Sequence, residues 1–574
     1  MTILLQKYKV ISNITIEVIS VFVVLSVQLL FAKYTQDYQF YANNSIRWLP
    51  IILSTCPVFF IYLTARILFQ PLLSAVIITS IVSILSIMHK MKLSLTGEPL
   101  SWNDLTTSAN LSIIGHYLSY SHMAIILFFT TICLLAYYIN PAKKTNNRLY
   151  LHHFAAFALI TPIVAFSYID IFNKNLDSFI AHTSNKIGFQ YMMWDWVGNV
   201  KSNGLPMHLV QTSRRKIPAT PSETDKAFFN ALKKETLNDN KRPKNIIVIL
   251  LEGAWHDDSS FKELFVDFEK IGLKKFRAIS PVYGGGTVNA SFELLTGLPS
   301  RGVLHGIIYQ EYASLISSSA HTYPRYLTGA GFKTVALHNF NREFWKRDVI
   351  NPKFGFDKFI GLEDMGNEKF TGWPDDSILY NSALKELVSN EYPKFLFLTT
   401  VHTHGGYQYN NDSGETDYKQ RLSISIKRAS DFISKVKELE PDSLIIVASD
   451  HKPSLNKFFY EKGVFEKDQF ASMGAVDGDF SFSPAASREL IGDVPAYIYY
   501  SDPNKVNSFI EMADNKPYFC VAKILDYKFT QIGLPAFEYA ESNGICSDAN
   551  YKGYDTAVSQ YPEWLYYLSL FIKQ

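Results

Sequence analysis

Four residues between positions 252 and 451 of the 574-residue chain have the chemistry of a nucleophile beside a metal ion. Glu252 ends one apolar run, the pair Asp450 and His451 ends another, and Thr287 stands directly behind three consecutive glycines. Carboxylate and imidazole groups bind divalent cations, and a bound cation activates a hydroxyl that is otherwise a poor nucleophile. These residue types predict a phosphoryl-transfer site in which Thr287 is the catalytic nucleophile and all four residues bind one metal ion.

The two apolar runs must be neighbours for these residues to meet. Both are rich in Ile and Val and are bounded by polar residues, which is typical of buried parallel strands. In an open α/β sheet the ligand site lies beyond the carboxyl ends of the strands. Strand-like runs alternate with helical ones at 245–251, 334–337, 395–401, 443–448 and 496–500. This alternation predicts an α/β domain with a mainly parallel sheet.

The three glycines before Thr287 predict a turn that approaches a phosphate closely. Glycine adopts backbone conformations that other residues avoid, so the run Gly284–Gly286 allows a sharp turn. Residues 291–298 have a helical pattern, and we expect Thr287 to begin that helix. The free amide groups and the dipole at the start of the helix would then hold the phosphate.

A second group of polar and aromatic residues also follows strand-like runs. His338 follows one run, and His402 and His404 follow another. A histidine at this edge of the sheet could protonate a leaving alkoxide or deprotonate an acceptor hydroxyl, and His404 is the predicted catalytic one. Trp345 and Arg347 pair an aromatic ring with a guanidinium, which suits a polar head group and its phosphate. We therefore predict that His338, Trp345, Arg347 and His402 bind the substrate.

The first 170 residues have a different composition, dominated by long apolar stretches. Crossing a bilayer takes roughly 20 mainly apolar residues. Five segments approach or reach this length with their flanks, and no cleavable signal is expected at the first of them. The predicted spans are residues 18–32, 48–65, 67–88, 123–139 and 149–169.

Positive charge predicts the orientation of these spans, because cytoplasmic loops are rich in Lys and Arg. With five crossings, one side of the membrane carries Lys7, Lys9, Arg66, Lys143, Lys144 and Arg148. We therefore predict a multi-pass protein of the bacterial cytoplasmic (inner) membrane with a cytoplasmic amino terminus. The predicted domains are a transmembrane domain at 1–170, an interfacial helical connector and linker at 171–242, and a catalytic domain on the periplasmic or extracellular side at 243–574.

Charge and cysteine content narrow the choice of partners and compartment. The formal net charge is only +2 and no basic block stands out, so we expect no nucleic-acid partner. Cys520 and Cys546 fall in the exported part, where an oxidising compartment permits a disulfide. Their spacing suits a loop staple but leaves the pairing open.

The order of these residues along the chain resembles that of the lipoteichoic acid synthase-type phosphoglycerol transferases, which belong to the alkaline phosphatase and sulfatase superfamily. The run GGGTVNASFELLTG at 284–297 and the segment EPL…DL at 98–105 resemble the branch with the periplasmic glucan phosphoglycerol transferases. The resemblance implies a metal ion held by Glu252, Thr287, Asp450 and His451, and a substrate site lined by His338, Trp345, Arg347 and His404. It also implies a membrane phospholipid as donor and an envelope glycan or glycolipid as acceptor. Oxygen-rich ligation favours Mn²⁺ or Mg²⁺, and one imidazole permits Zn²⁺ as the alternative.

Three alternatives were weighed against this function. Phosphoethanolamine transferases share the same plan, but many carry several exported disulfides, and only Cys520 and Cys546 are available here. A sulfatase is excluded because Gly297 stands where its nucleophile would be, and no cysteine fits the pattern either. A catalytically silent protein that binds an envelope glycan is the alternative of another class, and the intact set of four site residues argues against it.

Overall fold

The computed structural model describes residues 15–30, 41–42, 45–46, 48–96, 99–106, 131, 196–213, 217–232, 242–304, 306–366, 372–389, 392–408, 412–472, 480–483 and 486–571. The chain divides into two compact units, Met1–Arg215 and Lys216–Gln574, which are described separately.

The first unit is helical in the part that the structure describes. Its helices are α1 (Thr15–Leu30), α2 (Trp48–Leu68), α3 (Pro71–Thr96), α4 (Trp102–Thr106), α5 (Trp196–Asn203) and α6 (Leu205–Ser213). A two-stranded antiparallel pair, β1 (Tyr41–Ala42) and β2 (Ser45–Ile46), precedes α2.

One described helix is long and apolar enough to cross a membrane. It is the Pro71–Lys90 part of α3, with a mean hydropathy of 2.2, and Thr15–Leu30 and Ser54–Ile67 are shorter apolar helices. The predicted spans 123–139 and 149–169 lie outside the described residues, except for Thr131. The five-span arrangement therefore stays a prediction.

The boundary between the second and third predicted spans differs from the prediction. Arg66, which was expected to separate them, lies in the last turn of α2, and the helix break falls at Phe69 and Gln70, before Pro71. Proline fits the first turn of a helix because it lacks the amide hydrogen that would go unpaired there. In the helix, the guanidinium of Arg66 pairs with the carboxylate of Glu17 at 2.9 Å.

The second unit is built on an eight-stranded sheet in the order β12-β4-β11-β8-β3-β7-β5-β6. Its strands are β3 (Asn245–Leu251), β4 (Lys274–Ile279), β5 (Lys333–His338), β6 (Lys358–Ile360), β7 (Lys394–Thr399), β8 (Ser443–Ser449), β11 (Asp493–Tyr499) and β12 (Lys516–Pro517). The short antiparallel pair β9 (Phe470–Ser472) and β10 (Phe480–Phe482) lies apart from it.

Five strands of this sheet coincide with the predicted runs, and the five neighbours β8, β3, β7, β5 and β6 are parallel. The predicted run at 496–500 belongs to β11, which is antiparallel to both β8 and β4. Strands β4, β6 and β12 were not predicted. β4 is half polar, and β6 and β12 have only three and two residues, so none gives a continuous apolar run.

Helices surround this sheet. They are α7 (Glu223–Leu232), α8 (Val266–Lys270), α9 (Thr287–Thr296), α10 (Ile308–Tyr312), α11 (Tyr323–Gly329), α12 (Arg347–Lys353), α13 (Ser377–Leu387), α14 (Glu415–Leu439), α15 (Asn456–Lys462), α16 (Arg488–Gly492), α17 (Pro503–Ala513), α18 (Tyr518–Leu525), α19 (Pro535–Ser542), α20 (Tyr554–Ser559) and α21 (Glu563–Tyr566).

The central strands of the sheet are the core of the unit. Every residue of β3 and β8 is buried, because helices cover both faces of the sheet. Side chains of α13 and α14 pack with these strands in one large apolar cluster. The carboxyl ends of β3 and β8 are therefore held rigidly, and so are the residues that directly follow them.

A disulfide joins Cys520 in α18 to Cys546, which follows α19. The sequence left this pairing open, and the structure supplies it. Closing a loop between residues 26 positions apart restricts the unfolded chain and so stabilises the folded one.

Candidate active site

Glu252, Thr287, Asp450 and His451 meet in one buried cluster. The Thr287 hydroxyl donates a hydrogen bond to Asp450 Oδ2 at 2.6 Å and lies 3.1 Å from Glu252 Oε2. The Nε2 atom of His451 lies 3.0 Å from Asp450 Oδ2 and 3.5 Å from Glu252 Oε1. All four residues are at most 5% exposed.

The sheet explains why the cluster forms. Leu251 and Ser449 are paired across the parallel strands β3 and β8, so the next residues, Glu252 and Asp450, leave the sheet side by side. The backbone amide of Gly253 also donates a hydrogen bond to Asp450 Oδ1 at 2.6 Å, which fixes the orientation of that carboxylate. Two ligands are therefore positioned by strand register alone.

The glycine turn delivers Thr287 to the same point. Gly284, Gly285 and Gly286 have φ values of 67°, 158° and 91°, the region that disfavours residues with a side chain. A Cβ atom on Gly286 would also lie 3.1 Å from side-chain atoms of Val282 and Ile307. Thr287 is the first residue of α9, as the helical pattern predicted.

The hydrogen bonding of His451 fits a metal ligand. Its Nδ1 atom lies 2.8 Å from the carbonyl oxygen of Lys452, so Nδ1 carries a hydrogen. The buried Nε2 faces the carboxylates of Asp450 and Glu252, and it is the atom that would bind a metal ion once its hydrogen is lost. Ligand atoms of Glu252, Asp450 and His451 lie within 4.8 Å of one another. These residues fit a divalent cation.

The electrostatics of the cluster favour the same conclusion. Burial, reinforced by the Asp450 carboxylate, raises the pKa of Glu252 to about 8. Burial lowers the pKa of His451, but the charges of Asp450 and Glu252 outweigh it and raise that pKa to about 9. Two buried carboxylates thus compete for a single positive partner, and a divalent cation would neutralise both.

Arg347 and His338 are buried near the cluster. The carboxylates of Glu252 and Asp450 act on the charge of Arg347, whose pKa burial lowers to about 10. Its Nη1 donates to the carbonyl oxygen of Phe344 at 3.2 Å. The Nδ1 atom of His338 lies 3.0 Å from the carbonyl oxygen of Thr399, and its Nε2 is buried without a hydrogen-bond partner among the described residues.

Trp345 lies on a strained piece of backbone. Trp345 and Lys346 have φ values of 58° and 53°, in the left-handed region that costs a non-glycine residue on the order of 1–2 kcal/mol. The Trp345 ring is partly buried and makes an edge contact with Phe344 at 5.4 Å. This left-handed backbone directly precedes α12, whose first residue, Arg347, is buried, while Trp345 is partly accessible.

The two remaining predicted histidines have different surroundings. His404 is half-buried, and burial lowers its pKa, with charges of His451, Asp450 and Arg347 also acting on it. The ring of His402 faces the carbonyl oxygen of Pro374 at 3.3 Å instead, and within the described residues none of the four cluster side chains hydrogen-bonds to it. The structure brings His404, but not His402, into electrostatic contact with the cluster.

Sequence reasoning missed two residues of this site. The ring of Trp373 stacks on that of His404 with 4.0 Å between centroids, and the buried carboxylate of Asp376 accepts a hydrogen bond from the His402 amide. Neither follows a strand-like run, and neither lies in a motif with metal-ligand spacing. The only available signal was an aromatic residue before proline and two acidic residues.

Comparison with known proteins identifies the class of this domain. Residues 244–479, less than half of the chain, match the family model described as Sulfatase. Within the matched range, Gly297 still stands where the nucleophile of a sulfatase would be.

Two curated relatives match parts of the chain. A cyclic beta-1,2-glucan modification protein, as its name has it, from Rhizobium meliloti (strain 1021) is 26% identical over 303 residues, which are 48% of this chain and 47% of the relative. Lipoteichoic acid synthase 1 of Bacillus subtilis (strain 168) is 24% identical over 268 residues, 43% of this chain and 38% of the relative. The chain thus spans less than half the length of each. The predicted family resemblance is confirmed.

One solved structure similar to this chain is that of the phosphoglycerol transferase GacH of Streptococcus pyogenes in complex with sn-glycerol-1-phosphate. It is 16% identical and the alignment covers 56% of this chain and 95% of that chain, with a TM-score of 0.37.

Proposed function

We propose that this protein is a membrane-anchored, metal-dependent transferase that moves the phosphoglycerol head group of phosphatidylglycerol to an envelope glycan or glycolipid. The observation that carries the proposal is the Thr287 hydroxyl, held at the start of a helix between two buried carboxylates that also face the buried imidazole of His451. The names of the two relatives, a glucan modification protein and a lipoteichoic acid synthase, support a glycan or glycolipid acceptor.

Glu252, Thr287, Asp450 and His451 would hold one divalent ion, Mn²⁺ or Mg²⁺ by preference and Zn²⁺ as the alternative. When bound, it supplies Lewis-acid stabilisation of the threonine oxygen and of the phosphoryl oxygens. The protein itself does the rest of the positioning. Asp450 orients the Thr287 hydroxyl, and the free amides at the start of the ten-residue helix α9 hold the phosphate.

In the first step Thr287 Oγ1 passes its proton to Asp450 Oδ2, which accepts its hydrogen bond, and bonds to the phosphorus atom, while the bond from phosphorus to the diacylglycerol oxygen breaks. The departing oxygen takes a proton from His404 and leaves as diacylglycerol. In the second step an acceptor hydroxyl gives its proton to His404 and attacks phosphorus, the bond to Thr287 breaks, and Thr287 Oγ1 takes its proton back from Asp450. The phosphoglycerol group ends on the acceptor and the enzyme is regenerated.

Arg347 favours phosphatidylglycerol over phosphatidylethanolamine as the donor. Its guanidinium can bind phosphate oxygens in a bidentate manner. The carboxylates that act on Arg347 are Glu252 and Asp450, which already belong to the metal cluster. A glycerol head is neutral and needs no further carboxylate, whereas an ethanolamine ammonium would need one in addition to these two.

The runner-up is a phosphoethanolamine transferase that acts on lipid A or another envelope glycan. The aromatic rings of Trp345 and Trp373 favour it, since an ammonium group can bind to the face of an indole. Full-length protein in vesicles of each lipid separates the two functions. We expect faster diacylglycerol release from phosphatidylglycerol, and the reverse preference would assign the protein to the runner-up class.

We also propose the predicted membrane arrangement. The protein has five spans and a cytoplasmic amino terminus, with a boundary near residue 170, a connector to residue 242, and a catalytic domain at 243–574 on the outer face of the inner membrane. The lipid donor gives a physical reason for the anchor. A reporter that is active only outside the cytoplasm, fused after Gln574, should be active. Activity of a cytoplasm-only reporter at that position would reverse the topology.

A further inference from the structure

The short segment that contains Trp373 contacts the loop that bears His404. The two rings are tilted by 32° with 4.0 Å between their centroids, a close contact for stacked rings. The indole Nε1 of Trp373 also donates a hydrogen bond to the carbonyl oxygen of Gly405 at 3.2 Å. One side chain thus holds both the ring of His404 and the backbone next to it.

The same carbonyl determines which nitrogen of His404 is available. His404 Nδ1 lies 3.4 Å from the carbonyl oxygen of Gly405, which also accepts the hydrogen bond from Trp373. Because a carbonyl oxygen only accepts, Nδ1 carries the hydrogen. The lone pair is then on Nε2, the atom that has to exchange a proton with substrate in the proposed reaction.

Further contacts hold Trp373 and the residues that follow it in place. Its other contact is with the ring of Phe340, at 5.2 Å between centroids. Three residues further on, the fully buried Asp376 accepts hydrogen bonds from the backbone amide of His402 at 3.2 Å and from Asn339 Nδ2 at 3.0 Å. Ser425 Oγ donates to the same carboxylate at 2.6 Å. The carboxylate of Asp376 thus connects Asn339, in the loop after β5, with His402, in the loop after β7.

We propose that Trp373 is a positioning residue, which fixes the ring plane and the tautomer of His404 so that Nε2 exchanges the proton during head-group transfer. The proton transfer by His404 rests on the proposed function. The position of its ring rests on the contacts described above. Trp373 acts through His404 and touches no reacting atom.

The charged groups around His404 set the sign of the expected pH effect. Burial lowers the pKa of His404, the nearby charges of His451 and Arg347 lower it further, and Asp450 opposes them. Arg421 lies on the backbone side, donating to the carbonyl oxygen of His404 at 3.3 Å. Removing the Trp373 ring lets water reach the imidazole, so its pKa should rise towards the ordinary value of about 6.5.

The test uses full-length protein with Trp373→Ala, Trp373→Phe and the control Trp564→Ala. Trp564 is also partly buried in aromatic contacts, with Phe228 and Tyr539. We expect Trp373→Ala to lower kcat by about 100-fold, the lower end of what a general acid–base group contributes, with the donor KM little changed. Trp373→Phe retains the ring contact and should lose less than about 10-fold. The acid limb of the pH profile should move to higher pH only in Trp373→Ala.

A double-mutant cycle separates positioning from general structural damage. In a His404→Ala background, Trp373→Ala should cause no further loss, because the residue acts through His404. Additive losses, or an unmoved acid limb in a folded Trp373→Ala protein, would overturn the inference. Trp373→Phe keeps the test valid if the alanine variant unfolds.

A measurement without substrate keeps this inference separate from the proposed function. Diethyl pyrocarbonate modifies neutral imidazole, and mass spectrometry of the His404 peptide reports the rate at each pH. We expect faster modification and a higher midpoint in Trp373→Ala than in the wild type. Unchanged reactivity contradicts the role of Trp373, whereas failure to release diacylglycerol from either phospholipid contradicts the proposed function alone.

Discussion

The metal cluster and the surrounding substrate pocket are built in different ways. Glu252, Asp450 and His451 follow fully buried strands, and their positions come from the register of β3 and β8. The substrate side instead consists of Trp345, on left-handed backbone, and the half-buried pair of Trp373 and His404. Rigid strands hold the atoms to which we assign the chemistry, and loops with aromatic contacts present the side chains that we propose bind the substrate.

This difference predicts that changes in the cluster abolish chemistry, whereas changes in the pocket reduce it by degrees. Thr287→Ala should lower turnover by at least about 10⁴-fold, because no other oxygen can form the covalent intermediate. Thr287→Ser keeps a hydroxyl at the same position and should retain measurable activity. Mass spectrometry should show the phosphoglycerol adduct on residue 287 of the wild type after incubation with phosphatidylglycerol. Near-normal activity of Thr287→Ala would contradict the proposed mechanism.

The second prediction concerns metal binding by the cluster. Chelation should stop the reaction, and Asp450→Ala should lower metal content and reduce activity by about 10³-fold or more, since one anionic ligand is lost. Elemental analysis of the purified full-length protein measures the first effect. Asp431→Ala, which removes an exposed carboxylate from α14, is the control and should leave metal content unchanged. An active preparation free of metal would contradict the ligand assignment.

A third, smaller effect is expected in the substrate pocket. Arg347→Lys keeps the positive charge but loses the planar fork that binds two phosphate oxygens, so we expect about a 10- to 100-fold loss of kcat/KM. Arg301→Lys, at an exposed position, is the matched control. Metal content should stay at the wild-type level in both variants. A loss of metal in Arg347→Lys would mean that the pocket and the cluster are not separable.

The smallest effect on chemistry should come from the disulfide. Cys520→Ser together with Cys546→Ser should lower the free energy of unfolding by about 2–4 kcal/mol, because the unfolded chain regains the freedom of a closed loop. Below the unfolding temperature, kcat should change by less than about twofold. Thermal unfolding and initial rates of the same preparation measure both quantities. A large fall in kcat with unchanged stability would contradict this prediction, because it would mean that the disulfide in α18 supports the active site itself.

The sequence determined most of the cluster and half of the pocket. An apolar run that ends in a carboxylate is a local pattern, and so is a threonine behind glycines. Glu252, Thr287 and Asp450 could therefore be found one at a time, and the parallel-sheet rule placed them together. His402 follows strand β7, as His404 does, and its Nδ1 lies 3.3 Å from the carbonyl oxygen of Pro374, so its role in substrate binding stays a prediction.

Only the tertiary structure decided the rest. The antiparallel insertion of β11 between β8 and β4, the pairing of Cys520 with Cys546, and the stacking of Trp373 on His404 join residues far apart in the chain. None of these contacts leaves a periodic or compositional trace in the residues around it. Local patterns record which face of a strand or helix is buried, whereas a long-range contact depends on where the whole chain brings two segments together.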